Sequence, residues 1–182
     1  MSAVVLPGRA YPATMPLLAL ATTVLERHGH DVRAVSWSLP DGVPDDADAW
    51  VEARLVEALD GEVPHVPDVV VAKSLGTRSA PYVARRGWPA VWFTPLLRDA
   101  ACAAGIRANP APQLVVAGLA DGLHDTEVAA GLGDAVTVLE VEGADHGLSR
   151  GDGAPDDDVL ADVERALDAF VGALPRTRGR AS

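Results

Sequence analysis

Apolar residues along the chain fall into two alternating patterns. Continuous short runs occupy residues 3–6, 32–37, 69–72, 90–93, 114–117 and 136–141. They show little apolar–polar alternation, which is how strands covered on both faces read. Between them, apolar positions recur every three or four residues. Leu17, Leu20, Ala21 and Val24 share one helical face, with Thr14 placed to cap it and Pro16 in its first turn. That helix should stop at His28-Gly29, where glycine suits a left-handed C-terminal position. Residues 46–59 put Val51, Leu55 and Leu59 inward and Glu52, Arg54 and Glu57 outward. Further helices are expected at 76–86, 96–104 and 126–132. A last one should begin after Asp156-Asp157-Asp158, where carboxylates favour the positive helix end, and carry Leu160, Val163, Leu167, Phe170 and Leu174. Six strand–helix alternations imply an α/β fold: a parallel sheet with helices on both faces.

A chain of 182 residues suffices for one domain with a real core, placed at residues 1–175. Arg176, Arg178 and Arg180 mark 176–182 as a flexible basic tail. The formal net charge of −11 repels phosphate backbones, so no nucleic-acid partner is expected, and it disfavours anionic membrane surfaces. No apolar run approaches the ~20 residues of a membrane span. The first residues lack the basic leader and apolar length of a signal peptide, so a cytoplasmic protein is expected. Cys102 stands alone, which excludes an intrachain disulfide and a zinc site built on cysteine pairs. No G-x-G-x-x-G follows the first run and no P-loop is present, so dinucleotide and nucleotide binding are disfavoured.

The third run leads directly into Ala72-Lys73-Ser74-Leu75-Gly76 and then a helical segment. A serine at such a sharp strand-to-helix turn is pushed above the sheet edge, and small residues two before and two after relieve crowding. Ser74 could otherwise serve only to cap the helix. A nucleophilic serine needs a base, and the base needs an orienting carboxylate. Asp121 follows the fifth run and His146 the sixth, so both fall in loops at the sheet edge that carries Ser74. Asp125 is the second candidate for the acid. Among the other histidines, His28, His30 and His65 are expected at the surface. His124 could line the site, but no acid in the next segment would orient it. Asp145, beside His146, reads as a loop-fixing residue. Lys73 is expected to point away from Ser74. Two oxyanion donors are needed; the backbone N–H groups of Leu75 and Arg9 are the candidates, with Gly8 permitting an unusual turn before Arg9.

With those segments in hand, the sequence resembles the α/β-hydrolase superfamily over roughly residues 3–174. It is similar to small actinobacterial-type serine hydrolases distantly related to dienelactone hydrolases. The resemblance rests on Leu6-Pro-Gly-Arg9, Ala72-Lys-Ser-Leu-Gly76, Trp92-Phe-Thr-Pro-Leu-Leu97, Gly118-Leu-Ala-Asp121 and Gly143-Ala-Asp-His-Gly147. It implies Ser74 as nucleophile, Asp121 as acid and His146 as base, in that chain order, with backbone donors at Arg9 and Leu75 and a pocket flanked by residues 94–97. Ala72 stands where glycine is usual, and Pro7-Gly8 where many members have His-Gly. The chain starts at what is usually the third strand, so a minimal six-stranded sheet is expected. Larger members insert a cap between the fourth and fifth strands. Here residues 94–113 are too few for a lid, and the site should be open, lined by Tyr11, Thr94, Leu96, Leu97, Leu123 and His124.

The resulting expectation is a serine hydrolase of small carboxylic esters or thioesters that needs neither metal nor organic cofactor. Its base must be neutral, so acid should silence it. The alternative is a non-catalytic ligand-binding or scaffold protein on the same fold, because fold alone does not give function.

Overall fold

The computed structural model describes residues 1–39, 42–60, 66–151 and 153–175. The tail at 176–182 and His65 lie outside the described residues. Six strands form one sheet: β1 (Ser2–Leu6), β2 (Asp31–Ala34), β3 (Val69–Lys73), β4 (Ala90–Phe93), β5 (Gln113–Gly118) and β6 (Val136–Val141). Their order is β2-β1-β3-β4-β5-β6 and every pairing is parallel. The helices are α1 (Pro16–Arg27), α2 (Ala47–Leu59), α3 (Ala80–Arg86), α4 (Ala100–Ala108), α5 (Thr126–Ala130) and α6 (Asp157–Ala173).

Side chains alternate across the four inner strands and build two apolar layers. Ala3, Val5, Val69, Val71, Val91, Phe93, Leu114 and Val116 face one way and pack with α1 and α6. Val4, Leu6, Val70, Ala72, Ala90, Trp92, Val115 and Ala117 face the other and pack with α2, α3, α4 and α5. The edge strands differ from the expectation of two-sided burial. All four residues of β2 are at least partly exposed, and of β6 only Val141 is buried. Each has a neighbour on one side only, and β2 ends at Ala34, leaving Trp37 in the following loop.

Most helix boundaries fall near the periodic segments, with informative shifts. Met15, not Thr14, occupies the cap position of α1, and no side chain caps it. Gly29 takes the left-handed conformation (φ 84°) just past that helix. Asp46 caps α2 by accepting from the Ala49 N–H. The third helical segment opens as a 3₁₀ turn, Ser74–Ser79, before α3. Pro81 explains this: it has no N–H to reach Thr77, so the Thr77 carbonyl takes the Ala80 N–H instead. The fourth begins at Ala100 rather than at 96, because Asp99 caps it through the Cys102 N–H. Asp157 and Asp158 lie inside the first turn of α6, not before it, and the buried stripe is Val159, Val163, Leu167 and Val171. Leu160, Phe170 and Leu174 pack at its margin.

Topology decides where a site can form. The connection from β1 runs to β2 through α1 on one face, whereas that from β3 runs to β4 through α3 on the other. Neighbouring loops that part in this way leave a crevice beyond the carboxyl ends of the strands. The loop at Pro7-Gly8 and the turn at Ser74 flank that crevice. Among the described residues, no helix is long and apolar enough to cross a membrane.

Candidate active site

Ser74 leaves β3 with φ at 48°, a left-handed conformation that costs a non-glycine residue about 1–3 kcal/mol and is tolerated where surrounding structure enforces it. The enforcing structure is β1. A side-chain carbon on Gly76 would lie 2.8 Å from the Pro7 carbonyl oxygen and 3.0 Å from Leu6, so the turn can pass β1 only with glycine there. Ala72 is fully buried two residues before the serine. The two small flanking positions thus meet a crowd of backbone, and Ser74 is held partly exposed above the sheet.

His146 and Asp121 reach it from neighbouring loops. The imidazole Nε2 lies 2.7 Å from the Ser74 hydroxyl oxygen, and Nδ1 lies 2.7 Å from Asp121 Oδ2. A carboxylate only accepts, so Nδ1–H donates to Asp121 and a bare Nε2 faces the serine. The Asp121 side chain is 1% exposed and that of His146 35%, so the carboxylate is sealed beneath a ring that meets solvent. Burial by itself would raise the pKa of the Asp121 carboxyl. The His146 hydrogen bond, the Leu123 N–H and the nearby Lys73 charge outweigh it and hold the group below its ordinary value. Asp121 is therefore ionised throughout the neutral range, as an orienting acid must be.

The same arrangement of strands recurs in solved structures. A hydrolase of the alpha/beta superfamily from Xanthomonas campestris superposes with a TM-score of 0.70 at 17% identity, over 95% of this chain and 99% of that one. The chain has the α/β-hydrolase fold. Est1E from Butyrivibrio proteoclasticus, with ferulic acid bound, gives 0.68 at 14% identity over 94% and 88% of the two chains. A serine hydrolase without lid, also from X. campestris, gives 0.63 at 18% over 97% and 84%. No family model matches the sequence, and no curated protein does. In this α/β-hydrolase fold no cap follows β4; the stretch before β5 holds only α4, packed beside α3.

The loop after β1 lies against the serine. A side-chain carbon on Gly8 would stand 3.0 Å from the Tyr11 Cβ and 3.5 Å from that of Ser74. Gly8 therefore matters for close packing, not for the unusual turn expected of it, since its φ is not in the left-handed range. The loop is pinned by a Gly8 N–H bond to the Tyr11 carbonyl (3.0 Å) and by the Trp37 indole N–H on the Gly8 carbonyl (3.0 Å). Trp37 was not legible as a site residue, because its partner is 29 positions away. With Arg9, Tyr11 and Leu39 it lines a cavity of about 250 Å³ beside that loop.

Several expected pocket residues are elsewhere. Thr94 is 0% and Leu97 1% exposed, both inside the protein rather than lining it. Thr94 takes a left-handed φ of 40° just past β4, turning inward. The His124 ring is also buried and donates from Nε2 to Glu140 Oε1 on β6 at 2.7 Å, so an acid does hold it and it is not an exposed pocket wall. Leu123 is 43% exposed, and Tyr11 and Leu96 are half-buried. Asp125 is no alternative acid, because it caps α5 through the Val128 N–H. Two other histidines depart from surface placement: His30 is buried and His28 half-buried, bonded to Asp168 at 2.9 Å. Asp145 fixes its loop by accepting the N–H groups of Gly147 (2.7 Å) and Ser149 (3.0 Å). Among the described residues, no group of three or more metal-ligating side chains is assembled.

Gly118, at the end of β5, supports the His146 loop by its lack of a side chain. A Cβ there would collide with the Ala144 carbonyl and lie 2.6 Å from the Asp145 carbonyl oxygen. The Ala144 carbonyl cannot yield easily, since it accepts the Ala120 N–H at 2.9 Å. Gly118→Ala is expected to destabilise the protein by about 1–3 kcal/mol, as overpacking does. Urea unfolding with an unchanged m-value would measure it.

Proposed function

We propose that the chain is a serine hydrolase that cleaves small carboxylic esters or thioesters through an acyl-enzyme on Ser74. The observation that carries this reading is the continuous line from Ser74 Oγ through the His146 ring to Asp121, 2.7 Å at each step. Such a line lowers the cost of removing the serine proton as the hydroxyl attacks. His146 Nε2 takes that proton while Ser74 Oγ bonds to the acyl carbon. The developing oxyanion is met by backbone N–H groups, assigned to Leu75 and Arg9. Arg9 suits this because its loop is held against Ser74 and its N–H has no partner among the described residues. The imidazolium then returns its proton to the departing alcohol or thiol. Water repeats the sequence on the acyl-enzyme: His146 takes its proton, the acid departs and Ser74 is restored.

The reaction so written uses no metal or organic cofactor. The cap-less crevice leaves Ser74 partly exposed, which favours small esters over substrates that must be enclosed. Leu123, 43% exposed, and the half-buried Tyr11 and Leu96 are the expected pocket residues that keep apolar surface toward solvent. The esterases among the similar structures are in line with this reading, and so is the motif resemblance to dienelactone-hydrolase-related enzymes. A fluorophosphonate probe tests it: the folded protein should be labelled at Ser74 and should turn over p-nitrophenyl acetate. A folded chain that neither reacts with the probe nor hydrolyses the ester would instead be a ligand-binding protein on this fold.

A further inference from the structure

Lys73 is the residue that the proposed reaction leaves unused. It is 2% exposed, among the largest fully enclosed side chains, and it adjoins the nucleophile in the chain. As the last residue of β3 it follows Val69 and Val71 onto the α1/α6 side of the sheet, away from the 3₁₀ turn. An apolar side chain would fill that space without the cost of burying a charge. A buried ammonium is retained only where its donors are met, and it has three.

Two of them have hydrogen-bond partners and an aromatic ring lies beside the charge, the three contacts coming from three different loops. Nζ donates to Thr94 Oγ1 at 2.9 Å, in the turn after β4, and to the His146 carbonyl oxygen at 2.9 Å, in the loop after β6. It also lies 4.6 Å from the centre of the Tyr11 ring, in the loop after β1. Among the described residues, Ser74, Thr94 and Leu148 are the non-glycine positions with positive φ (48°, 40° and 59°). One is next to Lys73 in the chain, one is bonded to it, and one is two residues from the carbonyl it holds. The ammonium thus sits where three strained backbone segments converge.

We infer that Lys73 is a positioning residue: its ammonium ties the His146 backbone to the end of the strand that carries Ser74, so that base and nucleophile keep one spacing. The inference rests on the serine-hydrolase reading above. The His146 loop is otherwise held by the bonds of Asp145 to Gly147 and Ser149 and, two residues before His146, by the Ala120 N–H on the Ala144 carbonyl. The Lys73 contact spans 73 positions and fixes that loop relative to the elbow at its own backbone. Without it, the His146 backbone loses its bond to the strand that carries Ser74.

The groups that face the ammonium are the Tyr11 ring, Thr94 and the His146 carbonyl, with the carboxylates of Asp121 and Asp145 nearby. Burial lowers the Lys73 pKa to about 8, against the pull of the two carboxylates. The Tyr11 phenol, raised by burial, stays neutral through this range. Loss of the lysine proton leaves two N–H groups for Thr94 and the His146 carbonyl but removes the positive charge that strengthens both bonds and holds the Tyr11 ring. The tie therefore weakens as pH rises through that value.

The test uses Lys73→Met, of similar length and apolar, with p-nitrophenyl acetate kinetics and fluorophosphonate labelling on the full chain. Misplacement by an ångström can cost on the order of 100-fold in rate. We expect kcat and the labelling rate of the variant to fall about 10- to 100-fold, with KM changed less than about twofold. Wild-type kcat should decline as pH rises through about 8, and this decline should be absent in the variant. Variant kcat and labelling within about twofold of wild type would overturn the positioning role and leave the hydrolase reading standing. Wild type inert toward ester and probe would defeat the hydrolase reading itself, and this inference with it. Should Lys73→Met fail to fold, the wild-type profile decides: a kcat flat from about pH 7 to 9.5 would overturn the proposal.

Discussion

Replacing Ser74 by alanine is expected to lower kcat/KM for p-nitrophenyl acetate by a factor on the order of 10⁴ to 10⁶ and to abolish fluorophosphonate labelling. The argument is geometric. The hydroxyl oxygen lies 2.7 Å from the nitrogen of an imidazole whose other nitrogen is bonded to a buried carboxylate. Alanine leaves that imidazole with nothing to deprotonate except water. On the proposed reading the oxyanion N–H groups of Leu75 and Arg9 remain, so a residual acceleration over the uncatalysed reaction should persist. Because the two groups act as one unit, adding His146→Ala to Ser74→Ala should cost little more. Fold integrity is not at stake, since alanine relieves no packing and Ser74 lies partly in solvent. Retention of more than about a tenth of wild-type activity by Ser74→Ala would place the chemistry elsewhere.

Asp121→Asn should cost about 10⁴-fold in kcat/KM while leaving the structure intact. The direction follows from how the carboxylate is bonded. Oδ1 accepts the Leu123 N–H at 2.8 Å and Oδ2 accepts from His146 Nδ1 at 2.7 Å. An asparagine must keep its oxygen toward the Leu123 N–H, because its amide nitrogen cannot accept. Its NH₂ then faces His146 Nδ1 and donates to it. The ring responds by carrying its proton on Nε2, where it confronts Ser74 and can no longer take the serine proton. Burial sharpens the effect: with a 1% exposed side chain, no water can substitute for the lost acceptor. A thermal melt within a few degrees of wild type, beside the rate loss, would separate this wrong-tautomer effect from unfolding. An Asp121→Asn variant with near-normal turnover would mean that another acid orients His146.

The acid dependence of stability carries a further sign. The Asp121 pKa is depressed in the folded protein, so its contribution is present at neutral pH and is lost as pH falls through that lowered value. Lys73, whose pKa is also lowered on folding, acts with the same sign at the other end of the scale: its burial as a cation costs stability below about pH 8, and that cost is relieved as pH rises above this value. The two groups bracket the range in which the carboxylate–imidazole–hydroxyl line and its backbone tie are both complete.

Much of this protein is written in its local sequence. The inner strands could be read from Val69, Val70, Val71 and Val91 because a strand buried on both faces admits no polar alternation. Ser74, Asp121 and His146 stood out because each follows an apolar run, and parallel strands bring all their carboxyl ends to one edge. The small residues Ala72 and Gly76 marked the turn, since their role depends on neighbours in the chain as well as on β1. What the local pattern could not decide was where side chains turn once those loops converge. Thr94 and Leu97 read as pocket lining, yet a left-handed backbone at Thr94 sends that turn into the interior. His124 read as having no acid in the next segment to orient it, yet Glu140 on β6 holds it once β6 pairs with β5. Trp37 and Lys73 gained their roles from partners 29 and 73 positions away. The sequence alone determined the layers, the crevice edge and the residue types gathered there, because hydrophobic periodicity is a local property. Only the tertiary structure decided that a buried ammonium beside Ser74 holds the His146 backbone, because hydrogen bonds across loops depend on distances that no single segment encodes.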